Sequence, residues 1–182
     1  MKNWDLYFLR IAREVSKRSK CMSRQIGAVL VKDKAIISTG YNGPARGMKH
    51  CNERDLGFYM DLDSLSDQDN SNSWGFSDAN EYPSKCPRRI FDYKSGKGLH
   101  LCQAGHAERN ALIQAARNGV STNKTTLYCY CPLPCLQCMI EIINSGVSRL
   151  VCLKGKDYDS YSRVILNESK IEYIEYEKEI LS

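Results

Sequence analysis

No run in this chain approaches the roughly 18 apolar residues that a membrane span requires. The opening MKNWDLYFLR also lacks the apolar core of a signal peptide, because arginines and an acid interrupt LYFLRIAREV. A cytosolic protein with no membrane partner is the expectation. Basic density is missing too: a net charge of +5 over 182 residues is dispersed along the chain. That suits an anionic small molecule better than it suits the basic stripe of a duplex-binding protein. One stretch has no Lys or Arg at all, since Asp55 to Ser84 carries seven acidic residues and no basic one. Its polar composition fits a solvated insertion, and a lid over a substrate is the sharper alternative. The sequence holds no internal repeat, and its length fits one domain, 1–182, with room for one elaborate insertion at about 52–100.

Cysteine, by contrast, is abundant, with nine in the chain and four of them in the ten residues Cys129 to Cys138. The count is odd and no export signal is present, so metal ligands or buried thiols are favoured over a disulfide framework. Around them the periodicities alternate. Asp5 to Ser19 has an apolar stripe at Leu6, Leu9, Ala12 and Val15, widened by Phe8 and Ile11. It reads as an amphipathic helix capped by Asn3 or Asp5. Ile26 to Val31 and Ala35 to Tyr41 flank the short Lys32-Asp33-Lys34 turn and predict a hairpin. His106 to Gly119 predicts a helix with its stripe at Ala107, Ala111, Leu112 and Ala115, ended by Asn118-Gly119. Thr125 to Cys131 predicts a strand, and about Cys135 to Asn144 a helix with Pro134 beside its first turn. Arg149 to Leu153, Tyr161 to Glu168 and Ile171 to Tyr176 predict strand, helix and strand. The order is an α/β layer pattern with helices covering a central sheet. The segment from Asn42 to Gly105 is too long for a connection and has little periodicity, which marks it as functional, metal-bound or mobile.

Cys135 and Cys138 stand three apart, so both sulfurs leave one face of a helix in its first turn, where dipole and free amides favour thiolates. A Cys-x-x-Cys alone fits a redox dithiol or half a zinc site. His106-Ala107-Glu108, at the start of the preceding helix, decides between them. The imidazole supplies a third ligand and leaves the fourth position to water, as catalytic zinc requires. Glu108 is then placed to move that water's proton. The ordered pair His-x-Glu and Pro-Cys-x-x-Cys is the signature of zinc deaminases of cytosine and adenine. Cys129, Cys131 and Cys152 read more simply as small buried hydrophobes.

Together with that pattern, Ser19 to Gly43 (SKCMSRQIGAVLVKDKAIISTGYNG), Gly105 to Ser121 (GHAERNALIQAARNGVS) and PCLQC resemble the deoxycytidylate deaminases of the cytidine deaminase superfamily. The likeness covers nearly the whole chain except the acidic insertion. It implies a cytidine deaminase-like three-layer fold, with a mixed five-stranded sheet covered by helices. It also implies hydrolytic deamination of dCMP to dUMP with release of ammonia, a step in pyrimidine deoxynucleotide supply. Asn42 of Tyr41-Asn42-Gly43 would bond the sugar hydroxyl, and the main chain at Ala107 and Pro134 would read the base. Ser23 and Arg24 are the phosphate candidates, with Lys156 and Tyr158 in reserve. The likeness further implies a homo-oligomer, a hexamer in many members, activated by dCTP and inhibited by dTTP with Mg2+ accompanying these effectors. Arg117 would lie near the effector site and a subunit interface, to which Tyr41 and Gly43 also belong. Tyr128 to Cys135 is one residue longer than the usual version, which bears on base and phosphate contacts. A second, structural zinc is implied on Cys21, Cys51, Cys86 and Cys102, with His100 as alternate, pinning an insertion that lacks its own core. The rivals are a deaminase accepting dCTP, one acting on a base in RNA or single-stranded DNA, a non-enzymatic zinc module and a dithiol oxidoreductase. The acidic insertion argues against the nucleic-acid reading, and Glu108, superfluous as a ligand, argues against the module.

Overall fold

The computed structural model describes residues 3–65, 85–94 and 96–181. Contacts divide the chain into two compact units: Met1–Ser19, Gln25–Asn42 and Gly105–Ser182 form the first, and Lys20–Arg24 with Gly43–Ala104 the second. The second unit includes the expected insertion, 52–100, together with the turn around Cys21.

The first unit follows the expected order. Helix α1 (Trp4–Ser16) is followed by strands β1 (Gly27–Lys32) and β2 (Ala35–Tyr41). Asn3, not Asp5, caps α1, its side chain accepting from Asp5 N. Asp33 and Lys34 both have positive φ (49° and 63°), the two-residue turn that matches the twist of the flanking strands. After short strands β3 (Gly43–Pro44) and β4 (Ala104–Gly105) come α4 (Ala107–Arg117), β5 (Thr126–Cys129), α5 (Leu136–Asn144), β6 (Arg149–Leu153), α6 (Ser160–Glu168) and β7 (Glu172–Tyr176). Of these, β3 belongs to the second unit, as do the intervening α2 (Leu56–Ser64) and α3 (Pro87–Ile90). The sheet order is β2-β1-β5-β6-β7. Its first two pairings are antiparallel and its last two parallel, so the expected mixed five-stranded sheet is present.

Period-two alternation splits the core into two layers. Ala28, Leu30, Leu127, Cys129, Leu150 and Cys152 face α4, α5 and α6, joined by Ala107, Ala111, Leu112 and Ala115 of the predicted stripe. Val29, Val31, Tyr128, Val151 and Leu153 face Phe8, Leu9 and Ala12 of α1 and Leu181. Gly40 allows α4 to press on β2: a Cβ there would collide with Ala107 O and Ala111 N. That approach sets where the first turn of α4 sits.

In the second unit, α2 (Leu56–Ser64) was not anticipated, although Asp55 caps it through a bond from Phe58 N (2.8 Å). Its apolar residues Leu56, Phe58, Tyr59, Met60 and Leu62 make no single stripe, so period alone misses it. Asp63, on the same helix, is 3% exposed and accepts from Tyr93 Oη at 2.8 Å, with His100 Nε2 2.6 Å away. Burial and that carboxylate push the Tyr93 phenol up to about 12. A single helical turn, α3 (Pro87–Ile90), follows. Residues 66–84 of the acidic segment, and with them most of the expected lid, lie outside the described residues. No helix among the described residues is long and apolar enough to cross a membrane.

Candidate active site

Two helix N-termini meet at the site. His106 is the N-cap of α4 and Cys135 the N-cap of α5, with Cys138 in its first turn. His106 Nδ1 lies 3.2 Å from Cys138 Sγ and 3.4 Å from Cys135 Sγ. Among the described residues, this trio is the one set of three or more ligand groups whose atoms all lie within 4.8 Å of one another. Zinc bonds of about 2.3 Å to sulfur and 2.0 Å to nitrogen, at a tetrahedral angle, put N and S roughly 3.5 Å apart. The trio fits the ion.

The thiols divide their protons unequally. Hydrogen bonding with Cys138, and then with His106, draws the Cys135 thiol down to about 4. Cys138, hydrogen-bonded to Cys135 and buried, is pushed up. The bond to Cys135 also raises His106. Two thiols and an imidazole gathered this closely are a donor set that suits zinc.

Glu108, in the first turn of α4, is 4% exposed. Burial raises its carboxyl pKa. Its Oε2 is buried without a hydrogen-bond partner, whereas Oε1 receives the Cys131 thiol at 3.8 Å. Cys131 therefore corrects the expectation that it only fills the core: it lies beyond the end of β5, half-buried, against the site's carboxylate. Cys129 and Cys152 are fully buried in the sheet, as expected.

The remaining residues of the first unit fall as follows. Ala107 and Pro134 are buried beside the ligands. Asn42 is buried, and its Oδ1 accepts from Ile26 N at 2.8 Å. Tyr41 is exposed, and its carbonyl accepts from Asn110 Nδ2 at 2.8 Å. Asn110, four residues from His106, was missed by the sequence reading, though that spacing puts both on one face of α4. Arg117 ends α4, exposed, about 16 Å from His106 at 1.5 Å per residue. Lys156 and Tyr158 are exposed on the β6–α6 loop, whose Asp159 Oδ2 accepts from Leu136 N at the start of α5 (3.0 Å).

Ser23, Arg24 and Gly43 belong to the second unit, Ser23 and Arg24 exposed and Gly43 buried. Cys21, Cys51, Cys86 and Cys102 also share that unit, each half-buried. Burial raises the thiols of Cys51 and Cys86, and the neighbouring thiols raise each further. His100, the alternate ligand, is engaged with Asp63.

A three-layer α/β/α fold that brings one imidazole and two thiols to a single point, with a buried glutamate on the turn that bears the imidazole, defines a zinc-binding class of protein with a fourth metal position left open. Comparison with known proteins narrows this class. Residues 2–154 match the family model described as "Cytidine and deoxycytidylate deaminase zinc-binding region", and the chain belongs to that family. It is similar to the deoxycytidylate deaminase of Schizosaccharomyces pombe, 33% identical over 96% of this chain and 44% of the relative. It is also similar to that of Mycobacterium phage D29, 33% identical over 82% of this chain and 93% of the relative. The chain thus spans less than half the length of the fission-yeast relative. In fold it resembles the dCMP deaminase of cyanophage S-TIM5, solved with dCMP and dUMP. The TM-score is 0.63 at 20% identity, covering 93% of this chain and 94% of that one.

Proposed function

We propose that this protein deaminates dCMP to dUMP, with His106, Cys135 and Cys138 holding zinc and Glu108 moving the protons. The observation that carries this reading is the buried Glu108, with Oε2 free of any hydrogen bond, on the turn that bears His106. A merely structural zinc site has no use for such a group. Bound zinc would supply a water whose pKa falls to about 7. Glu108 would accept the proton of that water, which its raised pKa favours, and would then deliver it to the ring nitrogen of the base. The relatives named deoxycytidylate deaminase support this choice of substrate.

Asn42, held in place by Ile26, would meet the sugar, and the main chain at Ala107 and Pro134 would read the base edge. Ser23 and Arg24 would meet the phosphate, with Lys156 and Tyr158, on a loop tied to the start of α5, in reserve. Regulation by dCTP and dTTP with Mg2+, a homo-oligomer with Arg117, Tyr41 and Gly43 near its interfaces, and a cytosolic location complete the reading. The test is ammonia release from dCMP, dCTP, deoxycytidine and a cytosine-containing oligonucleotide, each with and without added dCTP or dTTP, with Glu108→Ala as control. Turnover of dCMP that the control lacks is expected. Turnover of the oligonucleotide alone would overturn the substrate.

A second zinc would be held by Cys21, Cys51, Cys86 and Cys102, which share one unit, where Cys21 and Cys102 lie close enough to raise the thiols of Cys51 and Cys86. Metal analysis should return about two zincs per chain, falling by one in Cys51→Ser. A wild-type value near one would remove this site.

A further inference from the structure

One segment braces the metal-binding turn at three points. At the start of the turn, Leu153 N donates to Cys131 O at 2.9 Å. At its middle, Gly155 lies against Pro132, where a Cβ on residue 155 would come within 2.7 Å of Pro132 Cγ. At its end, Asp159 Oδ2 accepts from Leu136 N at 3.0 Å. Leu136 is the residue after the ligand Cys135, and its amide is one of the donors at a helix start that have no partner within the helix. The other oxygen of the same carboxylate, Oδ1, caps α6 by accepting from Ser162 N and Ser162 Oγ, each at 2.9 Å. One side chain therefore joins the first turns of two helices, and capping α6 needs only one of its oxygens.

We propose that Asp159 is a positioning residue for the metal centre, which holds the Cys135–Cys138 turn in the geometry that receives zinc. The inference rests on the ligand assignment above. A free helix start frays, and a turn that must be ordered as the ion binds loses the ordering free energy from its affinity. Partners one step removed from a metal typically alter its affinity by about 10- to 100-fold.

Asp159→Ser and Asp159→Asn separate the two tasks. Either residue caps α6 well, but each has a single acceptor oxygen and cannot also serve Leu136 N. Asp157→Ala is the control: it breaks the Asp157–Arg163 ion pair (2.7 Å) in the same loop without touching α5. Zinc is titrated into metal-stripped protein against a chromophoric chelator, and the absorption of the thiolate-to-cobalt bands is read after cobalt substitution. Asp159→Ser and Asp159→Asn should lose about 10- to 100-fold in zinc affinity and change the cobalt bands, while Asp157→Ala keeps both. Gly155→Ala, pressing on Pro132 from another position, should lower affinity in the same direction. Wild-type affinity and bands in Asp159→Ser would overturn the proposal and leave the ligands standing. A wild-type protein that takes no zinc on this trio would overturn the ligand assignment itself.

Discussion

Glu108→Gln should abolish turnover of dCMP, with kcat falling by at least the roughly 10^2- to 10^4-fold that a general acid-base contributes, while the zinc content stays that of the wild type. The amide matches the carboxylate in shape and is not among the ligand atoms, so the metal trio keeps its geometry. What it loses is the ability to accept a proton. The same substitution should stabilise the metal-stripped protein. The wild-type chain buries a carboxylate whose Oε2 has no partner, and a buried unsatisfied polar group costs about 1–3 kcal/mol, more when charged. Glutamine leaves a polar group there and removes only the charge, so a rise of about 2–4 °C in thermal midpoint, roughly 1 kcal/mol for a chain of this size, is expected. Lost activity with unchanged metal and raised stability is the pattern of a group kept for chemistry at the expense of the fold. Lost zinc, or retained turnover, would end the assignment of Glu108 as proton carrier.

The sequence made this site legible because its parts are local. His106 with Glu108, and Cys135 with Cys138, lie within three residues of each other, and each pair opens a helix whose stripe is readable. Only the meeting of the two helix starts needed the fold, and the alternation of strand and helix implied it. Cys131 against Glu108 was hidden because a thiol in a β-rich run is ordinarily core, and the loop after β5 turns this one into the site. The Asp159 bond to Leu136 and the Asn110 bond to Tyr41 join residues 23 and 69 apart, which no periodicity encodes. Helix α2 was missed for another reason: it buries Tyr59 and Asp63 in a segment whose composition looks solvated, with the acid satisfied by Tyr93 and His100 from far along the chain.

The choice of cap for α1 illustrates the same limit and leads to the second large effect. Asp5 does not cap the helix because it is committed elsewhere: Arg149, 144 positions away, grips both its oxygens at 2.7 and 2.8 Å. Tyr128 and Tyr176 add hydroxyl bonds at 2.9 and 3.0 Å. The pair pins α1 to the start of β6 and the middle of the sheet, with the Asp5 side chain 11% exposed. Arg149→Met would leave Asp5 buried without its cation, and breaking a buried pair on one side costs about 3–5 kcal/mol. A drop on the order of 10 °C in thermal midpoint follows. The pH dependence carries the same signature. Hydrogen bonding to Arg149 holds the Asp5 carboxyl below its ordinary 3.8. The folded chain then binds this proton more weakly than the unfolded one, so the stabilisation is fully present above 3.8 and is lost as pH falls through the lowered folded value. Removing the guanidinium removes that contribution, so wild type and Arg149→Met should converge in stability as acid protonates Asp5. Thermal melts of both proteins from neutral pH to below the carboxylate range measure it. A gap that stays constant across that range would mean that Arg149 acts through packing or through Glu172, its other ion-pair partner at 3.1 Å, and not through the charge on Asp5.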